Sequence, residues 1–287
     1  MQRTIHLIAG LPRAGSTLLC NLLAQNPRFH ATSTSGIISI MRAVRVRWPQ
    51  VYGEKNPQAE AAMRRVLGGI LDYYHDDPNN SKPVIFDKSR GWIGALDMAE
   101  MALGRKVKVL VCVRDVRDVI ASFEKLWRKD TALWQLSQER SRYFDWQTIE
   151  GRCEVWMGPK GVVGIPYRGL RRALERGYRD RMFFMEFDDL TRQPRATMQR
   201  VYEFIGEPYF EHDFDHVEQV TREDDFMHGI PGLHVIRSKV APFEPVWPQY
   251  LGKAADKYAS LNSLWRDAKP KTAETKTPSS SAKPAKG

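Results

Sequence analysis

The chain is short of the features that would commit it to several common designs. It has three cysteines, Cys20, Cys112 and Cys153, an odd number without metal-like spacing, which argues against a disulfide framework or a zinc site. Cys20 and Cys112 lie in apolar runs and read as reduced core residues of a cytoplasmic protein. No run approaches the ~18 apolar residues of a membrane-spanning helix. The first strand pattern begins almost at the N-terminus, so no cleaved leader is expected. There is no internal repeat. The most informative absence is one lysine: a glycine turn typical of phosphate-binding loops is present, but the Gly-Lys-Ser/Thr that completes a Walker A motif is not.

That turn lies in Ile5 to Leu23, IHLIAGLPRAGSTLLCNLL. Ile5, Leu7, Ile8 and Ala9 read as a buried strand, and Leu18, Leu19, Leu22 and Leu23 have the spacing of an amphipathic helix beginning near Ser16. Gly10 and Gly15 bracket Leu11-Pro12-Arg13-Ala14, the five-residue glycine separation of a Walker A loop. In such a loop, backbone N–H groups and a helix N-terminus face an anion. Ser16 occupies the lysine position, Thr17 follows, and the positive charge has moved to Arg13. The spacing points to a nucleotide phosphate, and the chemistry points away from a magnesium-bound triphosphate. A plain strand–turn–helix unit without ligand is the simpler reading, but it leaves a guanidinium and two hydroxyls aimed at one spot unexplained.

At 287 residues and 42% hydrophobic content the chain is long enough for one large α/β domain over residues 1–267. The formal net charge is +10, of which five lysines and Glu274 place +4 after Asp267. Residues 268–287 are rich in Lys, Pro, Ala, Thr and Ser and read as a disordered basic tail. The remaining charge is diffuse, so no nucleic-acid partner is expected, while polyanionic ligands remain compatible.

Further along, Ile37 to Trp48 and Pro57 to Tyr74 read as helices, the first with Arg42, Arg45 and Arg47 on its polar face. The polar run His30 to Gly36 before them reads as a loop. Lys82 to Phe86 predicts a second strand that delivers Asp87, Lys88, Ser89 and Arg90 to its carboxyl end, where open parallel sheets bind ligands. Lys106 to Val113 is the clearest parallel strand and ends at Arg114. In the helix that follows, Arg114, Asp118 and Ser122 share one stripe, so an arginine and a serine can close on one phosphate. Ala132 to Trp146 and Arg168 to Tyr178 predict helices around a glycine-rich loop. Arg181 to Phe187 predicts a fourth strand, Arg195 to Ile205 a helix capped by Gly206, and Pro248 to Trp265 a final helix.

These stretches carry a resemblance. GLPRAGSTLL resembles the 5′-phosphosulfate loop of the sulfotransferases, and VRDVRDVIASF is similar to their 3′-phosphate motif. FDDLTRQPRATMQRVYEFIG is similar to a stretch they carry downstream, with Phe187 where tyrosine is frequent. The three motifs stand in the family's order between Ile5 and Gly206; the middle region and tail are not covered.

The resemblance implies a P-loop NTPase-like three-layer α/β/α fold with a central parallel sheet. It implies sulfuryl transfer from 3′-phosphoadenosine-5′-phosphosulfate to a hydroxyl acceptor, without a metal. Carried over by position, Arg13, Ala14, Gly15, Ser16 and Thr17 hold the 5′-phosphosulfate, and Arg114 and Ser122 hold the 3′-phosphate. Lys88 stabilises the transferring group together with Arg13, and the Arg237-Ser238-Lys239 run covers the nucleotide.

The general base departs from the pattern. In tyrosyl-protein sulfotransferases it is a glutamate at the position held here by Thr34, and in cytosolic sulfotransferases a histidine at the position of Arg90. Asp87 and Glu54 remain as candidates, with His30 and His75 behind them. A P-loop small-molecule kinase and a non-catalytic nucleotide-binding module stay open as alternatives.

Overall fold

A computed structural model describes residues 3–53, 56–78, 80–130, 145–225 and 232–267. Five parallel strands form one sheet in the order β2-β3-β1-β4-β5. They are β1 (Thr4–Gly10), β2 (Phe29–Thr34), β3 (Val84–Lys88), β4 (Val109–Val113) and β5 (Met182–Glu186). Helices flank the sheet, among them α1 (Ser16–Ala24), α2 (Ile37–Tyr52), α3 (Pro57–His75), α4 (Leu96–Leu103) and α5 (Val116–Lys129). This is the expected P-loop-like α/β architecture.

The inner strands are buried on both faces, which explains their unbroken apolar character. All five residues of β4 and both Leu7 and Ile8 of β1 are fully buried. From central β1 the chain goes first to β2 and β3 on one side, then to β4 and β5 on the other. The strand order therefore reverses at β1, and the carboxyl ends of β1, β3 and β4 lie side by side where a crevice is expected. Gly10 marks the tightest approach there: its φ is +129°, and a Cβ would stand 2.0 Å from the Cys112 carbonyl oxygen. No other residue fits without moving β4.

Four expectations change. The strand expected over Lys82 to Phe86 runs Val84–Lys88, so Asp87 and Lys88 lie within it and not beyond it. The run from His30 is not a loop but part of edge strand β2, paired on one side to β3. Phe29 and Ala31 are its buried residues, too few for a clear alternation. The strand starting at Lys106 begins only at Val109. The final helix is broken: Trp247–Leu251 is α-helical, Gly252 turns at φ +52°, and Gly252–Asn262 continues as a 3-10 helix before Ser263–Arg266. The helix expected over Ala132 to Trp146 lies mostly outside the described residues, as do Glu54 and the tail 268–287. Among the described residues no helix is long and apolar enough to cross a membrane, and Cys20, Cys112 and Cys153 are buried free thiols.

Candidate active site

The loop between β1 and α1 folds as a phosphate cradle. Arg13 is the one described non-glycine residue at positive φ, +59°, and Gly15 follows at +84°. Left-handed backbone on a side-chain-bearing residue costs roughly 1–3 kcal/mol and concentrates where function requires it. Here it falls in the turn just before α1, whose first N–H groups have no side-chain cap and so stand open to an acceptor from elsewhere. Gly15 is further required because a Cβ would lie 2.6 Å from the Phe187 ring.

Phe187 also forms one side of the second feature. The Arg114 guanidinium lies 4.8 Å from the Phe187 ring centroid and 4.0 Å from that of Phe243, and the two rings stand edge to face with each other, 5.8 Å apart, so they form an aromatic corner around it. Its Nη1 donates to the Arg13 carbonyl at a long 3.4 Å, and its Nη2 is 3.9 Å from Asp118 Oδ2. Arg114 is 6% exposed, yet Nε and Nη2 have no hydrogen-bond partner among the described residues. Burial lowers its pKa, with Asp118 and Asp188 acting in the other direction. A buried cation with idle donors is costly unless an anion completes it. The Nε and Nη2 donors are the part of the guanidinium left for that anion.

Ser122 is on the expected stripe, but its hydroxyl donates to the Val119 carbonyl at 2.7 Å. Asp118, between them, accepts from the Val246 N–H at 2.8 Å and so holds the segment that carries Phe243.

Lys88 ends β3 opposite Ile8 of β1, which brings its ammonium to the loop, 3.5 Å from Thr17 Oγ1. Its principal partner is Glu223, with which it forms an ion pair whose side chains are 5% and 4% exposed. Glu223 also accepts from the Thr34 N–H at 3.1 and 3.0 Å. Asn21 of α1 positions the segment that delivers it: its Oδ1 accepts from the N–H groups of Val220 (2.7 Å) and Thr221 (3.0 Å), and its Nδ2 donates to Thr221 Oγ1 at 2.9 Å. Burial opposes the Glu223 charge, but the Lys88 ammonium and the Thr34 donor outweigh it and hold the carboxyl below its usual 4.5.

That depressed value has a stability consequence with a definite sign. The pair's contribution is complete above the unfolded value of about 4.5 and is lost as pH falls through the lower folded value. Glu223→Gln should therefore destabilise the protein at neutral pH. The gap to the parent, read from urea unfolding, should close as the pH falls below about 4.5.

Asp87, the expected base, is not in this crevice. Neighbouring residues on a strand point to opposite faces, so with Lys88 at the loop Asp87 turns away. It is fully buried, accepts from Trp92 Nε1 at 2.6 Å and lies 3.0 Å from His75 Nε2. His75 is thereby occupied in the same buried pair, and His30 lines a separate cavity beside β2 with Tyr74 and Asp77.

The late loop is only partly as expected. Ser238 accepts from the Val217 N–H through its carbonyl, and exposed Lys239 pairs with Asp215 at 2.7 Å, so neither side chain is brought to the loop. A contact does form four residues before Arg237: Arg13 of the phosphate loop donates to the Leu233 carbonyl. Glu223 and this Leu233 contact are the parts of the site that the sequence reading missed.

Fold and site together define a P-loop-like α/β protein whose cradle suits an anion with two separated negative groups. The chain belongs to the Sulfotransferase family, whose model matches residues 7–211. It is 24% identical over 119 residues to Sulfotransferase 1A1 of Bos taurus, a stretch covering 42% of this chain and 37% of that protein. The match thus spans little more than a third of that relative's length. Among solved structures, the sulfotransferase domain from the curacin biosynthetic pathway superposes with a TM-score of 0.50 at 16% identity, covering 93% of this chain and 96% of that one. This likeness concerns the fold. Retinol dehydratase, solved with androsterone and the inactive cofactor PAP, gives 0.49 at 15% identity, covering 97% and 84%.

Proposed function

We propose that the chain transfers a sulfuryl group from 3′-phosphoadenosine-5′-phosphosulfate to a hydroxyl acceptor. The observation that carries this reading is the Arg114 guanidinium, buried beside the loop in the corner made by Phe187 and Phe243, with its Nε and Nη2 donors unmet among the described residues. A nucleotide phosphorylated at only one end uses the loop and leaves the Arg114 Nε and Nη2 donors unmet; one with a further phosphate on the ribose satisfies both.

In this reading the amides of Arg13 to Thr17, with the Ser16 and Thr17 hydroxyls, hold the 5′ end. Arg114 holds the 3′-phosphate, with Ser122 joining if its hydroxyl leaves Val119. The bound donor supplies an activated sulfuryl group whose phosphate oxygen leaves in line. Lys88 and Arg13 place positive charge where that oxygen gains negative charge, which is how such sites lower a barrier. Fixed cations do this without a metal, in keeping with a loop that has serine where Walker A has lysine. Burial of Asp87 against Trp92 and His75 weighs against a kinase in which it would bind magnesium. The acceptor is proposed only as a hydroxyl compound, and the three buried free thiols fit a reducing cytoplasm.

Adenosine 3′,5′-bisphosphate should raise the melting temperature in magnesium-free buffer, by the equivalent of about 2.7 kcal/mol at a hundredfold excess over Kd. ATP with magnesium should not. The reverse pattern would move the case to a kinase. Labelled donor offered to sugars, phenols, alkanols and tyrosine peptides identifies the acceptor.

A further inference from the structure

Sulfuryl transfer to a hydroxyl leaves a proton to be removed; Asp87 is turned away from the crevice, and Arg90 is a guanidinium that stays protonated. Two groups of the late segment compare here, one paired with Lys88 and one next to the residue that Arg13 holds. Glu223 is committed: the Lys88 ammonium and the Thr34 N–H engage its oxygens, and they favour its charged form. A carboxylate so stabilised is a weak base and acts by holding Lys88.

The second is His234. Its Nδ1 lies 2.5 Å from Asp225 Oδ1, and its backbone N–H donates to Asp225 Oδ2 at 3.3 Å, so one carboxylate grips both the ring and the main chain. The preceding residue, Leu233, is held through its carbonyl by Arg13 of the phosphate loop. His234 thus follows a residue whose carbonyl the loop holds, and the charges of Glu223 and Lys88 act on its ring. A ring that donates Nδ1–H to a carboxylate carries its basic lone pair on Nε2, and the carboxylate stabilises the imidazolium formed when that atom is protonated.

We infer that His234, oriented by Asp225, is the general base of this site and accepts the acceptor's hydroxyl proton at Nε2. The inference rests on the sulfotransferase reading above. In the step, the acceptor O–H bond breaks and its proton goes to His234. The acceptor oxygen forms the new O–S bond, and the bond from sulfur to the 5′-phosphate oxygen breaks with its electron pair remaining on that oxygen. No oxidant or reductant takes part. The groups facing the ring set its titration: burial lowers its pKa below the usual 6.5, Asp225 and Glu223 oppose this, and Lys88 adds to it. Neutral imidazole is the active form, so the rate rises with pH through a limb below about 6.5.

The test uses the full chain, labelled 3′-phosphoadenosine-5′-phosphosulfate, and water as the acceptor, with sulfate release followed from about pH 5 to about pH 9. Adenosine 3′,5′-bisphosphate binding, read as a melting shift, is measured beside it for every variant. His234→Gln should bind the bisphosphate as the parent does, lose about 10²-fold or more in rate, and lose the ascending limb. Free imidazole should restore part of the rate to His234→Gly, and Asp225→Asn should move the limb to lower pH.

A His234→Gln protein that keeps the parent's rate and limb overturns the inference. So does one that loses rate with the limb intact and without imidazole rescue in His234→Gly, which is the signature of a structural clasp. Loss of the limb in Glu223→Gln alone assigns the base to Glu223 instead. A parent that binds the bisphosphate but releases no sulfate above buffer also contradicts it, because a base aimed at the acceptor position would activate water there. Failure of the parent to bind the bisphosphate at all sinks the donor reading itself.

Discussion

Lys88→Met is expected to lower turnover by about 10²- to 10³-fold, the usual loss when one preorganised donor to a developing oxyanion is removed. Binding of adenosine 3′,5′-bisphosphate should change far less, because the loop amides and Arg114 are untouched. The same substitution has a structural effect that must be separated from the catalytic one. Lys88 and Glu223 are both nearly inaccessible, and removing one partner of a buried ion pair leaves the other uncompensated, at a cost of about 3–5 kcal/mol. Combining Lys88→Met with Glu223→Gln removes both charges and should recover most of the melting temperature. It should recover none of the turnover. A double variant that regains activity along with stability would show that Lys88 serves the fold and not the reaction.

The second large effect concerns Arg114. Arg114→Lys keeps a cation but loses the planar fork whose Nε and Nη2 donors are unmet, and an ammonium cannot present that fixed pair of N–H groups. Hydrogen bonds to charged groups contribute about 1.5–3 kcal/mol, so affinity for adenosine 3′,5′-bisphosphate should fall roughly 10- to 150-fold. Affinity for adenosine 5′-phosphate should hardly change, because that ligand has no 3′ group for Arg114 to meet. Calorimetric titration of both ligands against both proteins checks this. An equal loss for the two ligands would mean that Arg114 only supports the loop, through its contact with the Arg13 carbonyl.

The main frame of this site was legible in the sequence because it is local. The glycine spacing, the strand before it and the helix after it lie within twenty-odd residues, and strand ends in a parallel sheet converge. That is why Arg13, Lys88 and Arg114 could be named from periodicity and position. Glu223 could not: it is 135 residues from Lys88, in a stretch without regular structure that borrows its shape from α1. One signal pointed to it. Asn21 interrupts the apolar stripe of α1, and a polar residue that is 1% exposed there must be answering polar groups from elsewhere.

Asp87 illustrates a different failure. The expected strand ended at Phe86, which left Asp87 and Lys88 free to share the crevice; the observed strand runs on through Lys88, and within a strand two adjacent residues cannot share a face. The broken final helix follows from Gly252 at positive φ; apolar spacing across it suggested a continuity that the backbone does not keep.

The two-point cradle is tested most directly by the calorimetric affinities of the parent protein for adenosine 3′,5′-bisphosphate and adenosine 5′-phosphate in magnesium-free buffer. A buried guanidinium reserved for the ribose phosphate requires the bisphosphate to bind at least about tenfold more tightly. Equal affinities, or binding that appears only with magnesium and a triphosphate, would contradict it.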